Sequence, residues 1–236
     1  GPDEQDQFEL WHEREKAVHY FTMGEERWKS SDTWPPTGGK RLNLYFAERH
    51  SLSSEPPNEK LATDKYQVTY DVGTGSNSRW NSLYNTNRRK IYYPDRAKED
   101  RKLVVYETKP LTSAIEVTGN PIANIYVASS AKDGAFFVYL EDVWPDGSVP
   151  YVTEGQLRAL HRKESSEPEP YTFVGINRSF SREDAMNLIP GEVAELRFEL
   201  IATSYQFKAG HRLRIAIAGA DKDHFAFVPK EPPFIS

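Results

Sequence analysis

The sequence predicts an all-β fold, an antiparallel β-sandwich of jelly-roll type, and three observations predict it. Two stretches alternate strictly. Ala194, Leu196, Phe198 and Leu200 are interleaved with Glu195, Arg197 and Glu199, and Leu213, Ile215 and Ile217 with Arg212 and Arg214. A period of two marks a strand with one dry and one wetter face. Aromatic residues reach 13%; Tyr and Phe favour strands, and their rings fill a sandwich core. Finally, 16 Pro and 14 Gly cut the chain into many short elements joined by turns. The 236 residues suffice for one domain with a buried core.

Taken in order, Glu4 to Lys16 is the helix candidate, because Phe8, Leu10 and Trp11 lie close together amid Glu, His, Arg and Lys. Ala17 to Met23 reads as a strand ended by Gly24. Trp28, Trp34, Pro35 and Pro36 follow in a turn-rich stretch. Arg41 to Phe46 is predicted as a second strand, and Glu48 to Thr63, polar and carrying Pro56-Pro57, as a loop. Val72 to Pro94 shows no period; long loops in compact domains commonly carry function. Leu103–Glu107, Ser113–Thr118, Ile122–Ala128 and Ala135–Val143 are predicted strands. In the last of these, Phe136, Val138 and Leu140 take one face, and Phe137, Tyr139 and Glu141 the other. Trp144-Pro145-Asp146-Gly147 is a turn, since Pro presets φ and Gly supplies a positive one. Gly155–Arg162 is another strand. Ser181 is placed to cap a short helix with Asp184 three residues on, stopped by Pro190-Gly191. Arg212 and Arg214 are expected to pair across strands with Glu195 or Glu199, each exposed pair contributing about 0.2–1 kcal/mol.

Composition removes several function classes. The net charge is −5 with both signs interspersed, so no nucleic-acid partner is expected. There is no Cys, which excludes disulfides, thiol catalysis and thiolate metal sites. That fits a reducing cytoplasm, the expected location, although a bacterial secreted protein can also lack cysteine. No apolar run approaches the ~20 residues of a membrane span, and no signal peptide is visible. Gly1-Pro2 has the look of a scar left by tag removal.

Nor is a catalytic residue expected. The nucleophile elbow of a serine hydrolase needs Gly-x-Ser-x-Gly. Gly73-Thr74-Gly75-Ser76-Asn77 comes near it but has Gly where Ser is required. The six His form no i,i+2 or i,i+4 pair, so no zinc signature arises, and neither metal nor cofactor is expected. His211 reads as an ordering hydrogen bond at a strand entrance. Asp221 and Asp223, two residues apart in a loop, are thin ground for calcium, which wants six to eight oxygens.

Two blocks carry a resemblance. One is Leu140-Glu141-Asp142-Val143-Trp144-Pro145-Asp146-Gly147 followed by Val152-Thr153-Glu154-Gly155-Gln156-Leu157-Arg158-Ala159-Leu160-His161-Arg162. The other is Pro190-Gly191-Glu192, then Leu200-Ile201-Ala202-Thr203-Ser204, then Phe207-Lys208-Ala209-Gly210-His211-Arg212-Leu213-Arg214-Ile215. Leu111 to Gly119 agrees in order and spacing, as do Met23-Gly24, Trp28 and Trp34-Pro35. Together they resemble the C-terminal domain of the X-Pro dipeptidyl-peptidase and cocaine esterase family over nearly the whole chain. After His211-Arg212 the sequence departs: Gly219-Ala220-Asp221-Lys222-Asp223-His224-Phe225 stands where the family often has a Ser-Ser stretch and a Pro-Arg-Phe-Asp-like motif. The chain also stops at Ser236, where one more strand is expected.

The resemblance implies a galactose-binding-domain-like jelly roll over residues 25–236. Residues 1–24 would be a helix and strand leading out of a catalytic domain absent from this chain. It implies a non-catalytic part of a serine hydrolase of acyl esters, amides or X-Pro dipeptides, shaping the pocket or stabilising the catalytic domain. The implied partner is the α/β-hydrolase domain of the same protein; a homo-oligomer is left open. In the related esterases a loop in the Val72–Pro94 region helps wall the acyl pocket, which makes Arg79, Trp80 and Asn81 the candidate rim. The competing reading is that Trp80 anchors the loop to the sandwich. Phe137 and Tyr139 are candidates for the face turned to the catalytic domain. The alternative function, a carbohydrate-binding module, rests on fold analogy alone and needs an exposed aromatic platform.

Overall fold

The computed structural model describes residues 17–57, 62–82, 90–168 and 175–236; the helix expected over Glu4–Lys16 lies outside them. The described strands are β1 (Val18–Thr22), β2 (Arg27–Ser31), β3 (Tyr45–Ala47), β4 (Ser51–Ser53), β5 (Tyr66–Gln67), β6 (Val104–Glu107), β7 (Ile115–Gly119), β8 (Ile122–Ala128), β9 (Ala135–Val143), β10 (Tyr151–Arg158), β11 (Val193–Glu199), β12 (Thr203–Phe207), β13 (Arg212–Ala218) and β14 (Phe234–Ile235). One helical turn, α1, spans Arg79–Ser82. No described helix is long and apolar enough to cross a membrane.

Six strands form the main sheet in the order β10-β9-β13-β6-β4-β3. All neighbours are antiparallel except β4 and β6, which meet in parallel at Ser51 and Glu107. Opposite it lie the pairs β11–β8, β14–β5, β12–β7 and β1–β2. Bridges at Ser129–Ile235 and Met23–Tyr205 link them. The main core fills the space between. Phe136, Val138 and Leu140 of β9 and Leu213 of β13 meet Ile125 and Val127 of β8, Leu196 and Phe198 of β11 and Phe207 of β12. The alternation read from β8, β9, β11 and β13 is therefore the alternation of this core.

Elsewhere the structure corrects the expectation. Only Tyr45–Ala47 of the Arg41–Phe46 stretch is strand, since Lys40 to Asn43 are exposed. Its partner β4 comes from the expected loop, and the tight turn between them holds Arg49 and His50 at φ 58° and 55°. β2 was not expected at all; it pairs with β1 across a turn at Gly24 (φ +81°), supported by an edge-to-face contact of Phe21 and Trp28 at 5.5 Å. β10 begins at Tyr151, not Gly155, and Ala159–His161 is a 3-10 turn. No helix follows Ser181. Asp184 is held by Lys163 and Ser179 rather than reaching back to cap, and Ala185 N–H to Arg182 O closes a lone turn.

The outer face of the main sheet is also buried. Phe137, Tyr139, Ala216 and Ala218 pack beneath Val72, Ala220, Tyr70, Leu103 and Phe225 as a second, smaller core. Phe137 and Tyr139 are thus not an exposed face. The chain's own loops cover them, and β9 is buried on both sides. Arg212 and Arg214 pair with Glu107, not with Glu195 or Glu199, because β13 lies between β6 and β9 while β11 belongs to the opposite layer.

Candidate functional site

Register sets the polar groups of this outer face in rows. Arg214 stands between Glu107 and Glu141, and Tyr151 lies beyond Glu141. In the next row Ala216 is beside Tyr139, and Tyr139 beside Glu154. A register shift between Tyr151 and Thr153 lets Tyr151 and Glu154 share this face. Glu141 and Glu154 are 0% and 1% exposed, so both carboxyls need partners. The loop from Val72 to Lys102 supplies them.

Glu154 Oε1 accepts three hydrogen bonds: from Trp80 Nε1 (3.1 Å), Tyr93 Oη (2.9 Å) and Tyr151 Oη (3.1 Å). Arg79 Nε is 3.9 Å away. Tyr93 stacks flat on Tyr151 with centroids 3.7 Å apart, and Trp80 meets Phe225 edge-on at 5.2 Å. Burial raises the Glu154 pKa, while the Tyr93 and Tyr151 hydrogen bonds oppose that shift. The three rim candidates thus sit together on α1. Trp80 is tied to the sheet, Arg79 lies over the Tyr151 ring at 5.8 Å, and Asn81 donates to Ser76 O.

Glu141 holds the second clamp. It accepts from Arg96 Nε at 3.2 Å; Arg96 also donates to Gly73 O (2.8 Å) and lies 4.5 Å over the Tyr139 ring. Asp100 is 3.9 Å from Arg96 Nε and takes a hydrogen bond from Arg214, which also binds Glu107. Burial, and next the Asp100 charge, hold Glu141 well above the ordinary carboxyl range; burial also raises Asp100. Glu141 Oε2 and Asp100 Oδ1 have no other donor. A proton held between the two carboxyls would satisfy both atoms and relieve the repulsion that raises them.

A third cluster ties the loop to residues 221–225. Asp221 accepts from Thr74 Oγ1 (2.7 Å) and from the Asp223 N–H (3.0 Å), and Asp223 accepts from Gly75 N–H (2.8 Å). A Cβ on Gly73 would fall 2.0 Å from the Asp223 carboxylate, so a side chain there would push Asp223 out of this anchorage. The two aspartates suspected of holding calcium serve this anchorage. Among the described residues no group of three His, Cys, Asp or Glu could hold a metal.

Ser78 and His224 look most like chemistry, with Oγ and Nε2 2.7 Å apart. The same Nε2 lies 2.8 Å from Gly75 O. A carbonyl only accepts, so Nε2 carries the proton and cannot take one from Ser78. Ser78 is also 1% exposed. The pair is a loop tie and not a nucleophile with its base. His211 Nδ1 binds Asp142 at 2.9 Å, and Tyr205 Oη and Trp144 Nε1 donate to the same carboxylate, each at 2.9 Å. This is the ordering role read for His211. On the other side of the main sheet a groove of about 1220 Å³ opens by β3 and β4, with Phe46, Leu52, Tyr106 and Ile125 in its lining.

Sequence reasoning missed Glu154, Tyr93, Tyr151, Arg96 and Glu141 as a group. A signal was present: Glu141 ends the apolar run Phe136 to Leu140, and Glu154 sits in the strand Val152 to Leu157. Carboxylates so placed are rarely buried unless paired.

Fold and site together define a β-sandwich domain whose buried polar groups hold loops in place. The family described as the X-Pro dipeptidyl-peptidase C-terminal non-catalytic domain matches residues 10–234, and the chain belongs to it. A Mycobacterium bovis protein named as a candidate serine esterase is 48% identical over 221 residues, 94% of this chain and 35% of that protein. The cocaine esterase of a Rhodococcus strain is 27% identical over 86% of this chain and 34% of its own length. The chain spans about a third of these relatives. Two solved structures share the fold: an aminopeptidase from a marine sediment archaeon (TM-score 0.68, 21% identity, 93% of this chain and 38% of that one) and an α-amino acid ester hydrolase (TM-score 0.63, 18% identity, 93% and 40%).

Proposed function

We propose that this domain serves a serine hydrolase of acyl esters, amides or X-Pro dipeptides, whose α/β-hydrolase domain belongs to the same protein. The observation that carries this reading is the match to a non-catalytic domain from residue 10 to 234 in a chain without Gly-x-Ser-x-Gly. In the intact enzyme the Ser nucleophile, His base and oxyanion hole lie in the catalytic domain. This domain contributes the Arg79–Asn81 turn as part of the pocket rim. A tied loop suits that role, because a pocket wall discriminates substrates only when held in place.

The test compares this chain with the full-length gene product on p-nitrophenyl esters and X-Pro p-nitroanilides. The full-length protein is expected to turn over one class and to lose activity when the Ser of its Gly-x-Ser-x-Gly is replaced. The isolated chain is expected to be silent. Clear turnover by the isolated chain, or none by the full-length protein on either class, overturns the proposal.

A further inference from the structure

We infer that Glu154 is the positioning residue of the pocket rim: its buried carboxylate fixes where α1 stands and so sets the acyl-size preference of the hydrolase. The inference rests on the function proposed above and adds a residue that the rim reading did not contain.

Three features carry it. First, one oxygen gathers donors from both arms of the loop and from the sheet: Trp80 from α1, Tyr93 from the returning arm, Tyr151 from β10. The two arms are thereby fixed relative to each other as well as to the sheet. Second, Glu154 is 1% exposed, and burying a carboxyl is costly. Apolar contact alone, Trp80 on Phe225 and Tyr93 on Tyr151, already covers the face. What the carboxylate adds is direction, because hydrogen bonds to one oxygen hold an indole and two phenols at set angles while apolar contacts let them slide. Third, the loop is two-sided. Its inner side is tied to Glu154, while Ile91 and Tyr92 are 49% and 60% exposed on its outer side. A loop pinned beneath and apolar above is built to present a surface.

The polar atoms on Glu154 fit this role and not catalysis. Its three donors are neutral side chains of the same chain, and its carboxyl is buried away from solvent.

The experiment uses the full-length hydrolase and three variants: Glu154→Gln, Trp80→Phe and, as a control on the opposite layer, Glu195→Gln. Glu154→Gln sets an amide against the donors, and Trp80→Phe deletes the indole N–H. For each protein kcat and KM are measured on p-nitrophenyl acetate and p-nitrophenyl hexanoate, with the thermal midpoint alongside. Glu154→Gln is expected to shift the ratio of kcat/KM between the esters by about tenfold, the scale of one methylene in an apolar pocket. The change should reside mainly in KM. Trp80→Phe should shift it the same way, and the control by less than about twofold. A folded Glu154→Gln enzyme with an unchanged ratio overturns the inference and leaves the proposed function standing. If Glu154→Gln does not fold, Trp80→Phe decides in the same manner. A wild-type enzyme that cleaves neither these esters nor X-Pro amides overturns the function and the inference together.

Discussion

Replacing Glu141 by Gln probes the shared proton beneath the loop. The cluster sets Arg96 and Arg214 against Glu107, Asp100 and Glu141, and Arg96, Asp100 and Glu141 are all under 5% exposed. Burial raises both Glu141 and Asp100, and each charge bears on the other. A proton held between them would relieve that repulsion. Gln is then a neutral isostere of the protonated acid, and at pH 5 the variant should match wild type within about 1 kcal/mol. The pH dependence carries the argument. Glu141 ionises near its ordinary value of 4.5 in the unfolded chain and well above it in the folded one. Above pH 4.5 the folded state holds a proton that the unfolded state has lost, so wild-type stability falls as pH rises. The slope is about 1.4 kcal/mol per pH unit while the folded carboxyl keeps its proton. The variant lacks this slope, so its advantage should grow steadily with pH until the folded carboxyl ionises. Asp71, held at about 2 by hydrogen bonds from Lys222 and Lys102, titrates below this window. Glu154 is present in both proteins and cancels. Urea unfolding followed by Trp fluorescence at pH 5, 6, 7 and 8 gives the difference directly. A variant less stable by about 3–5 kcal/mol at every pH, the cost of breaking a buried ion pair, would refute the shared proton. So would a difference that does not change with pH.

Other perturbations test the packing and the remaining polar ties. Gly155→Ala would put a Cβ 2.4 Å from Glu199 O and 2.9 Å from Leu200 Cα; a loss of about 1–3 kcal/mol is expected in denaturant melts, and no loss would mean the strand crossing is looser than described. Asp142→Asn leaves Tyr205, Trp144 and His211 competing for one acceptor and should cost about 2–3 kcal/mol by the same measurement. Arg214→Ala strips a partner from both Asp100 and Glu107 and should cost about 3–5 kcal/mol. Arg212→Ala touches only a half-exposed pair with Glu107 and should stay within about 1 kcal/mol. Equal effects of the last two would contradict the burial that separates them.

The strands legible in the sequence are those whose partners impose alternation. β11 shows Leu196 and Phe198 inward with Glu195 and Arg197 outward, and β13 behaves similarly because its outer side packs small Ala216 and Ala218. β2 and β4 are not legible, and β3 only at its Tyr45-Phe46 end. Arg27–Ser31 and Ser51–Ser53 are short and polar, and only a neighbouring strand makes them extended. β9 was half read. The unbroken run from Ala135 to Val143 is what a strand buried on both faces requires, yet nothing in it tells a cover of the chain's own loops from a cover of another domain. The site divides in the same way. Arg79, Trp80 and Asn81 come together because they are adjacent in the chain. Their acceptor Glu154 lies 74 residues beyond Trp80, and nothing local pairs the two. Long-range acceptors of this kind appear in sequence only as a carboxyl where an apolar side chain would be expected.

The place of β13 in the main sheet has a consequence for biosynthesis. It lies between β9 and β6, and its Arg214 meets Glu107 from 107 residues away. Until residue 218 has emerged from the ribosome, β6 and β9 have no strand between them, and both cores lack their middle wall. A nascent chain arrested before that point holds hairpins such as β9–β10 with apolar faces open to water. Folding of this domain is therefore a late event in synthesis. Chaperone occupancy on stalled chains should persist up to that length and fall beyond it.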